Sequence, residues 1–468
     1  MTYFLQNFQP QKAILLIAWL LSSLSVIGQV NFTSSGLVGE SSNNPTSLQF
    51  GPDGRLYVSQ QNGTIYAYTI QRNGPNDYEV TSTETINLVK NIQNHNDDGS
   101  NSGNSNRQVT GILITGTGAN PILYVSSSDP RIGAGGGGND TGLDTNSGVV
   151  SKLTCTGGID GSGQCTGWTK VDLIRGLPRS EENHATNGMQ LDEQNNILYI
   201  AQGGHTNAGA PSNNFAFTTE YALSAAVLEA DLDVIEALPT QTDGDGAAFK
   251  YNLPTLQNVS KADLLANGND HPDPWGGDDG LNQAMLDPNG PVQIFSPGWR
   301  NLYDLVLTES GRMYGVDNGA NGGWGGFPEY EESYDATNNY INGEPGSTGQ
   351  GPDPSTYPNN ITLLDGQNGT VASNGNPDPQ VNNKNGLHLF FKDYYAGHPT
   401  PIRGNPDGAG LYYNGTFYAP GNNNLPASWP PVTAANPIEC DFQQSGVDDN
   451  AMANYGPSTN GIAEYTAS

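Results

Sequence analysis

The feature that most constrains this chain is a hairpin written several times over: an alternating apolar run, a polar turn, then a Leu-Tyr-Val type strand. It stands at Ser47-Leu-Gln-Phe-Gly-Pro-Asp-Gly-Arg-Leu-Tyr-Val58, at Thr110-Gly-Ile-Leu-Ile with Ile122-Leu-Tyr-Val125, and at Asn187-Gly-Met-Gln-Leu with Ile197-Leu-Tyr-Ile200. It returns as Tyr303-Asp-Leu-Val-Leu with Gly311-Arg-Met-Tyr-Gly315, and in weaker form as Gly410-Leu-Tyr-Tyr-Asn-Gly-Thr-Phe-Tyr418. Asp-Gly, Asn-Gly and Ser-Gly pairs at the turns tolerate the positive φ that tight hairpins need. A lone hairpin cannot bury its faces, so copies must stack, and the pattern predicts an all-β protein built of β-propeller blades around a central axis. A sandwich pair or a β-helix would use the same hairpins.

The spacing of the copies is uneven, so large insertions must lie between strands. The longest, about Asp231 to Asn289 and Gly325 to Asn385, are rich in Asn, Gly, Pro and Asp without periodicity and are expected as loops over one face. The composition agrees: 61 Gly and 31 Pro make up about a fifth of the chain against roughly 12% on average. Only 14% of residues are charged, too few for the outer faces of long surface helices. Asn460-Gly-Ile-Ala-Glu-Tyr-Thr-Ala-Ser468 begins like a further blade strand without its partner; either the product is longer, or a strand around Val30 to Leu37 supplies the missing edge.

The net charge of −30 leaves no cationic surplus for phosphates and excludes nucleic acid as a partner. After Lys12, the apolar stretch Ala13 to Ile27 ends in small residues and is too short to span a bilayer comfortably, so residues 1–28 read as a signal peptide and 29–468 as the exported domain, although a retained N-terminal anchor would look alike. A secreted, periplasmic or cell-surface location follows, with no integral membrane segment after cleavage. Cys155 and Cys165 flank a flexible loop that one bridge would close in an oxidising compartment; Cys440 is left over. No spacing of Cys or His supports zinc.

Four segments carry residues suited to chemistry. His184, at the end of Leu173-Ile-Arg-Gly-Leu-Pro-Arg-Ser-Glu-Glu-Asn-His184, enters the third hairpin and would lie at the channel mouth as a general base, or simply as a hydrogen-bonded loop residue. Arg300, in Phe295-Ser-Pro-Gly-Trp-Arg-Asn301, enters the fourth hairpin at the same topological position; its planar fork would anchor a carboxylate or polarised carbonyl, or pair with a surface acid. Gly315-Val-Asp-Asn-Gly-Ala-Asn-Gly-Gly-Trp-Gly325 can aim main-chain and amide oxygens at a hard cation such as Ca²⁺, as can Asp243-Gly-Asp-Gly and Asp278-Asp279. Gly397-His-Pro-Thr-Pro-Ile-Arg403 places a second His and Arg in a rigid loop at the expected site rim.

Taken in order, these segments resemble the soluble glucose/sorbosone dehydrogenases, from about Asn44 to the end. The match is strongest at Gly-Leu-Pro, His184, the following hairpin and Gly203-Gly204, and at Gly298-Trp-Arg-Asn301, which matches the family's Gly-x-Arg-Asn motif. It is closest to a branch found as a module in large exported bacterial proteins. The resemblance implies a six-bladed β-propeller with long loop insertions and an incomplete last blade, binding pyrroloquinoline quinone (PQQ) and Ca²⁺ and oxidising an aldose or related sugar. His184 would take the hydroxyl proton; Arg300 and Asn301 would contact PQQ; Gln108, or Arg107 beside it, would add a cofactor contact; and main-chain oxygens of Gly319 and Ala320 would bind Ca²⁺. Two positions depart from the family: Asn183 replaces an acid beside the base, and Gln202 replaces the Asp that holds the imidazole. The family's basic residues for the cofactor carboxylates come from the last blade, beyond Ser468, where further domains are also expected. These departures keep a second expectation open, an exported non-catalytic propeller that binds carbohydrate or adheres.

Overall fold

In the computed structural model, which describes residues 32–96, 99–133, 141–209, 212–216, 218, 220–255, 284–324, 332–334, 340–343, 381–404, 411–413, 416–418 and 436–466, the four stronger hairpins open four successive β-sheets. Blade 1 is a meander of strands Pro45–Phe50, Leu56–Gln60, Ile65–Gly74 and Asp77–Ile86, with Leu37–Val38 added in parallel at its outer edge. Blade 2 runs Gln108–Gly116, Pro121–Ser128, Gly148–Cys155 and Trp168–Leu177. Blade 3 runs Thr186–Asp192, Ile197–Gln202, Ala226–Asp231 and Val292–Pro297; blade 4 runs Leu302–Leu307, Met313–Asn318, Asn385–Phe390 and Ala453–Tyr455. The result is an all-β, propeller-like architecture.

Alternation along the strands explains why the blades stack. Ile112 and Ile114 face a core shared with Tyr57, Ile65 and Ala67 of blade 1, whereas Leu113 between them faces a core shared with Met189, Leu198 and Ile200 of blade 3. Blades 3 and 4 close a third core around Trp299, Leu302, Phe295 and Phe390. Blades 2 and 3 are thus apolar on both faces, which explains their continuous apolar runs in the sequence.

The inner strands are also stitched by polar contacts. Thr110 Oγ1 donates to Thr186 O at 2.6 Å, Ser126 Oγ to Asn187 O at 2.7 Å, and Asn187 Nδ2 to Leu302 O at 3.0 Å. Tyr303 Oη reaches Thr46 O of blade 1 at 3.2 Å. Leu48 and Phe50 of blade 1's first strand are 65% and 61% exposed, so the four described blades leave one flank of blade 1 uncovered.

Several expectations are corrected. Part of the insertion after Asp231 is structured: Asp231 caps helix Leu232–Ala237 by accepting from Val234 N at 3.0 Å, and strands Gln241–Thr242 and Ala248–Asn252 extend blade 2. The two described pieces of the next insertion and of the weak fifth repeat are two-stranded hairpins, Glu332–Tyr334 with Tyr340–Gly343 and Leu411–Tyr413 with Thr416–Tyr418, separate from the four blades. Residues 460–466 form no strand; the outer strand of blade 4 comes from Ala453–Tyr455. The strand expected around Val30 to Leu37 is Leu37–Val38, and it extends blade 1 rather than completing the C-terminal blade. Phe32 nonetheless meets Tyr465, ring centroids 5.2 Å apart. Cys155 and Cys165 are bridged. The side chain of Cys440, Asp278-Asp279 and the leader segment lie outside the described residues, among which no helix is long and apolar enough to cross a membrane.

Candidate active site

The two loops that enter blades 3 and 4 meet at one end of the axis, in a cleft of about 310 Å³, within the size range of small-molecule sites. His184, Arg300, Asn301, Gln108 and Gly319 all line it. Nine of its lining residues are Asn or Gln, Asn187 and Asn321 among them, so the wall is mostly neutral donors and acceptors. Trp324 adds an aromatic face, and Glu182 an acid.

Local chemistry explains each placement. Gly298 turns the chain at φ +88°, where a Cβ would fall 2.5 Å from Tyr395 Cδ2. The N–H groups of Gly298 and Trp299 both donate to Ala225 O, at 3.0 and 3.1 Å. Trp299 then buries its indole against Phe390 and donates from Nε1 to Ser296 Oγ at 2.9 Å. With Trp299 inside, Arg300 and Asn301 are projected at the cleft, and Asp317 accepts their main-chain N–H groups at 3.1 and 2.8 Å. Burial pushes the Asp317 carboxyl up to about 7 against those two hydrogen bonds.

Arg300 is buried; its Nε and Nη2 donate to Asn207 O and Oδ1 at 3.1 and 3.0 Å, and its Nη1 to Asn318 O at 3.3 Å. Five N–H groups serve three acceptors, which leaves donors for a ligand. Burial lowers the guanidinium to about 10, opposed by Glu182, Asp317 and Glu220. Its carbon lies 5.9 Å from the Phe215 ring and 5.7 Å from that of Trp324, within reach of a cation–π contact with each.

His184 donates its main-chain N–H to Ser180 Oγ at 3.0 Å, and its ring packs edge-on to Phe215 at 5.0 Å. Nδ1 lies 2.9 Å from Gly204 O, which fixes Nδ1 as the protonated nitrogen, and Nε2 has no hydrogen-bond partner among the described residues. Burial holds the imidazole well below its usual range, with the Arg300 charge adding to the effect; the Gly204 carbonyl and Glu220 pull the other way. The site is one body, because Gly204 N–H donates to Arg300 O at 2.8 Å.

Other expected residues are placed elsewhere. Arg107 is fully buried and does not line the cleft; it donates to Asn94 Oδ1 at 2.8 Å, to Ser127 Oγ at 3.3 Å and to Ser147 O. Ala320 lines a separate small cavity behind Arg300. Gln202 does not hold His184: it accepts from Thr186 Oγ1 at 2.8 Å and donates to Pro178 O at 2.9 Å. The Asp243-Gly-Asp-Gly turn is tied to its neighbours, Asp243 by an ion pair with Arg175 and Asp245 by a hydrogen bond with His95 Nε2 at 3.2 Å. His398 and Arg403 are buried behind the wall rather than at the rim. Reading the sequence missed Asn207, Phe215 and Glu220, which sit in a stretch without periodicity or motif; Asp317 stood in the glycine-rich segment as a cation ligand, but its oxygens are taken by N–H groups.

The resemblance implies PQQ and Ca²⁺ at this cleft. A free imidazole nitrogen, a guanidinium with donors to spare and an orphaned carboxylate oxygen, Glu182 Oε2, suit the reacting end of such a cofactor. Among the described residues no group of three His, Cys, Asp or Glu gathers for a metal, so a cation here would rest on main-chain and amide oxygens, which suits Ca²⁺.

No protein-family model and no curated protein matches the sequence. Solved structures do. A Trichoderma reesei protein of Carbohydrate-Active Enzymes Family AA12 aligns at 14% identity and TM-score 0.35 over 92% of this chain and 68% of its own. The holo PQQ domain of pyranose dehydrogenase from Coprinopsis cinerea aligns at 13% identity and TM-score 0.33 over 89% of this chain and 87% of its own. The solved structures similar to this chain also include a PQQ-bound aldose sugar dehydrogenase from Streptomyces coelicolor, at 15% identity and TM-score 0.31 over 68% of this chain and 70% of its own.

Proposed function

We propose that the cleft oxidises a sugar hydroxyl, in an exported six-bladed propeller that takes PQQ and Ca²⁺. The observation that carries this reading is the unpartnered His184 Nε2 in one cleft with Arg300. When bound, PQQ supplies the hydride acceptor and Ca²⁺ polarises it. Arg300 and Asn301, with Gln108, would hold the quinone, and the main chain at Gly319 the metal.

His184 is neutral at pH 7 and presents a lone pair at Nε2, which takes the hydroxyl proton as the C–H bond gives up its hydride. Arg300 keeps a fixed cation where negative charge develops, with the Phe215 and Trp324 rings beside its guanidinium. The carboxamides of Asn187, Asn321 and their neighbours offer donors and acceptors matched to several sugar hydroxyls. The uncovered flank of blade 1 supports a ring of more than four blades.

Calorimetric titration with PQQ, with and without Ca²⁺, tests the reading. Calcium-dependent binding that Arg300→Ala weakens is expected, with sugar oxidation lowered about 10²–10³-fold in that variant. No binding by the folded protein would sink the dehydrogenase reading and leave a carbohydrate-binding propeller.

A further inference from the structure

His184 has no carboxylate of its own, since Gln202 is turned to Thr186 and Pro178. The peptide unit that holds the imidazole is nonetheless bound at both ends. Gly204 O accepts from His184 Nδ1 at 2.9 Å, while the N–H of the same peptide, on His205, donates to Glu220 Oε2 at 2.9 Å. Hydrogen bonds in series polarise one another: a peptide whose N–H is bound to a carboxylate has a more negative carbonyl oxygen. We propose that Glu220 is a positioning residue for His184, its charge relayed through the Gly204–His205 peptide to the imidazole. The proposal rests on the reading of His184 as the base.

The surroundings are built for this. A Cβ on Gly204 would fall 2.9 Å from Glu220 Oε1, so a side chain at this position would crowd the carboxylate. Glu220 is buried and accepts from Thr206 N at 2.9 Å, Thr206 Oγ1 at 2.6 Å, His398 Nε2 at 2.8 Å and Ser224 Oγ. Burial pushes the Glu220 carboxyl up, but the His398 hydrogen bond and the other donors outweigh it and keep the group ionised. Arg403 pins the same loop through Ala222 O at 3.1 Å and Ser224 O at 2.6 Å. The Gly397 to Arg403 motif therefore seats the carboxylate. The charged and titratable groups that act on His184 are Arg300, Glu220 and His398. Of these, Glu220 is the anion, and it reaches the ring through one peptide. A carboxylate behind a histidine fixes its tautomer and raises its basicity; the relay does so at one remove.

The test reads the imidazole directly in the full chain without cofactor. Histidine ¹⁵N labelling, with His184 assigned by loss of its signals in His184→Gln, gives the tautomer in wild type, Glu220→Gln and Glu220→Asp. Wild type is expected to hold the proton on Nδ1. Glu220→Gln should lower the Nδ1–H to Nε2–H ratio about tenfold, and Glu220→Asp should recover most of it. In the loaded enzyme Glu220→Gln should cut kcat about 10–100-fold with KM nearly unchanged. A dominant Nε2–H tautomer in wild type overturns the relay even if the variants do not fold, and so does an unchanged ratio in a folded Glu220→Gln. A tautomer shift in a protein that oxidises no sugar supports the relay and overturns the dehydrogenase reading, so the two fail separately.

Discussion

Asp317→Asn isolates the electrostatic cost of holding the Arg300-Asn301 turn. Asp317 accepts both main-chain N–H groups of that turn, yet burial raises its carboxyl from 3.8 to about 7. A folded pKa above the unfolded one means that the native state binds the extra proton, so this group's contribution is greatest below about pH 4 and is lost as pH climbs to about 7. A difference of roughly three pK units, at about 1.4 kcal/mol each, puts the loss at about 4 kcal/mol. Asparagine cannot ionise, and one amide oxygen still accepts, so the variant carries a constant penalty of about 1–3 kcal/mol that does not depend on pH. Asp304, raised to about 6, and the buried imidazoles titrate in both proteins and cancel in the comparison. Urea unfolding of wild type and variant at intervals from pH 4 to pH 8.5 reads the difference. Wild type should lose about 4 kcal/mol relative to Asp317→Asn as pH rises to about 7, then run parallel to it. A difference constant to within about 1 kcal/mol across the range would refute the assignment of a raised carboxyl.

Two further outcomes test the scaffold. Replacing Cys155 and Cys165 together by Ser opens a loop of sequence separation 10, and chain entropy sets the loss at about 2–3 kcal/mol; an unchanged Tm under non-reducing conditions would contradict it. Trp299→Ala removes a fully buried indole from the core between blades 3 and 4 and should cost about 3–5 kcal/mol by denaturation midpoint; a loss below about 1 kcal/mol would mean that Trp299 does not anchor the turn that projects Arg300.

The sequence alone marked the two inner strands of each of the four described blades and the pair of cysteines that bridge. Period-two patterning is a local property, and Ile112 and Leu113 carry their opposite faces in their order along the chain. It also marked His184, Arg300 and Asn301, because an entry loop ends where its inner strand begins. Arg107 and Gln108 show where that reading stopped. Adjacent in the chain, they point to opposite sides of a strand: Gln108 lines the cleft and Arg107 spends its donors on Asn94, Ser127 and Ser147. Only the tertiary structure decided that Gly204, rather than Gln202, holds the imidazole, and that Glu220 and His398 stand behind it. Those contacts join residues far apart in sequence, His398 to Glu220 across 178 positions, and no periodicity or spacing encodes a hydrogen bond made when blades and loops close on one another.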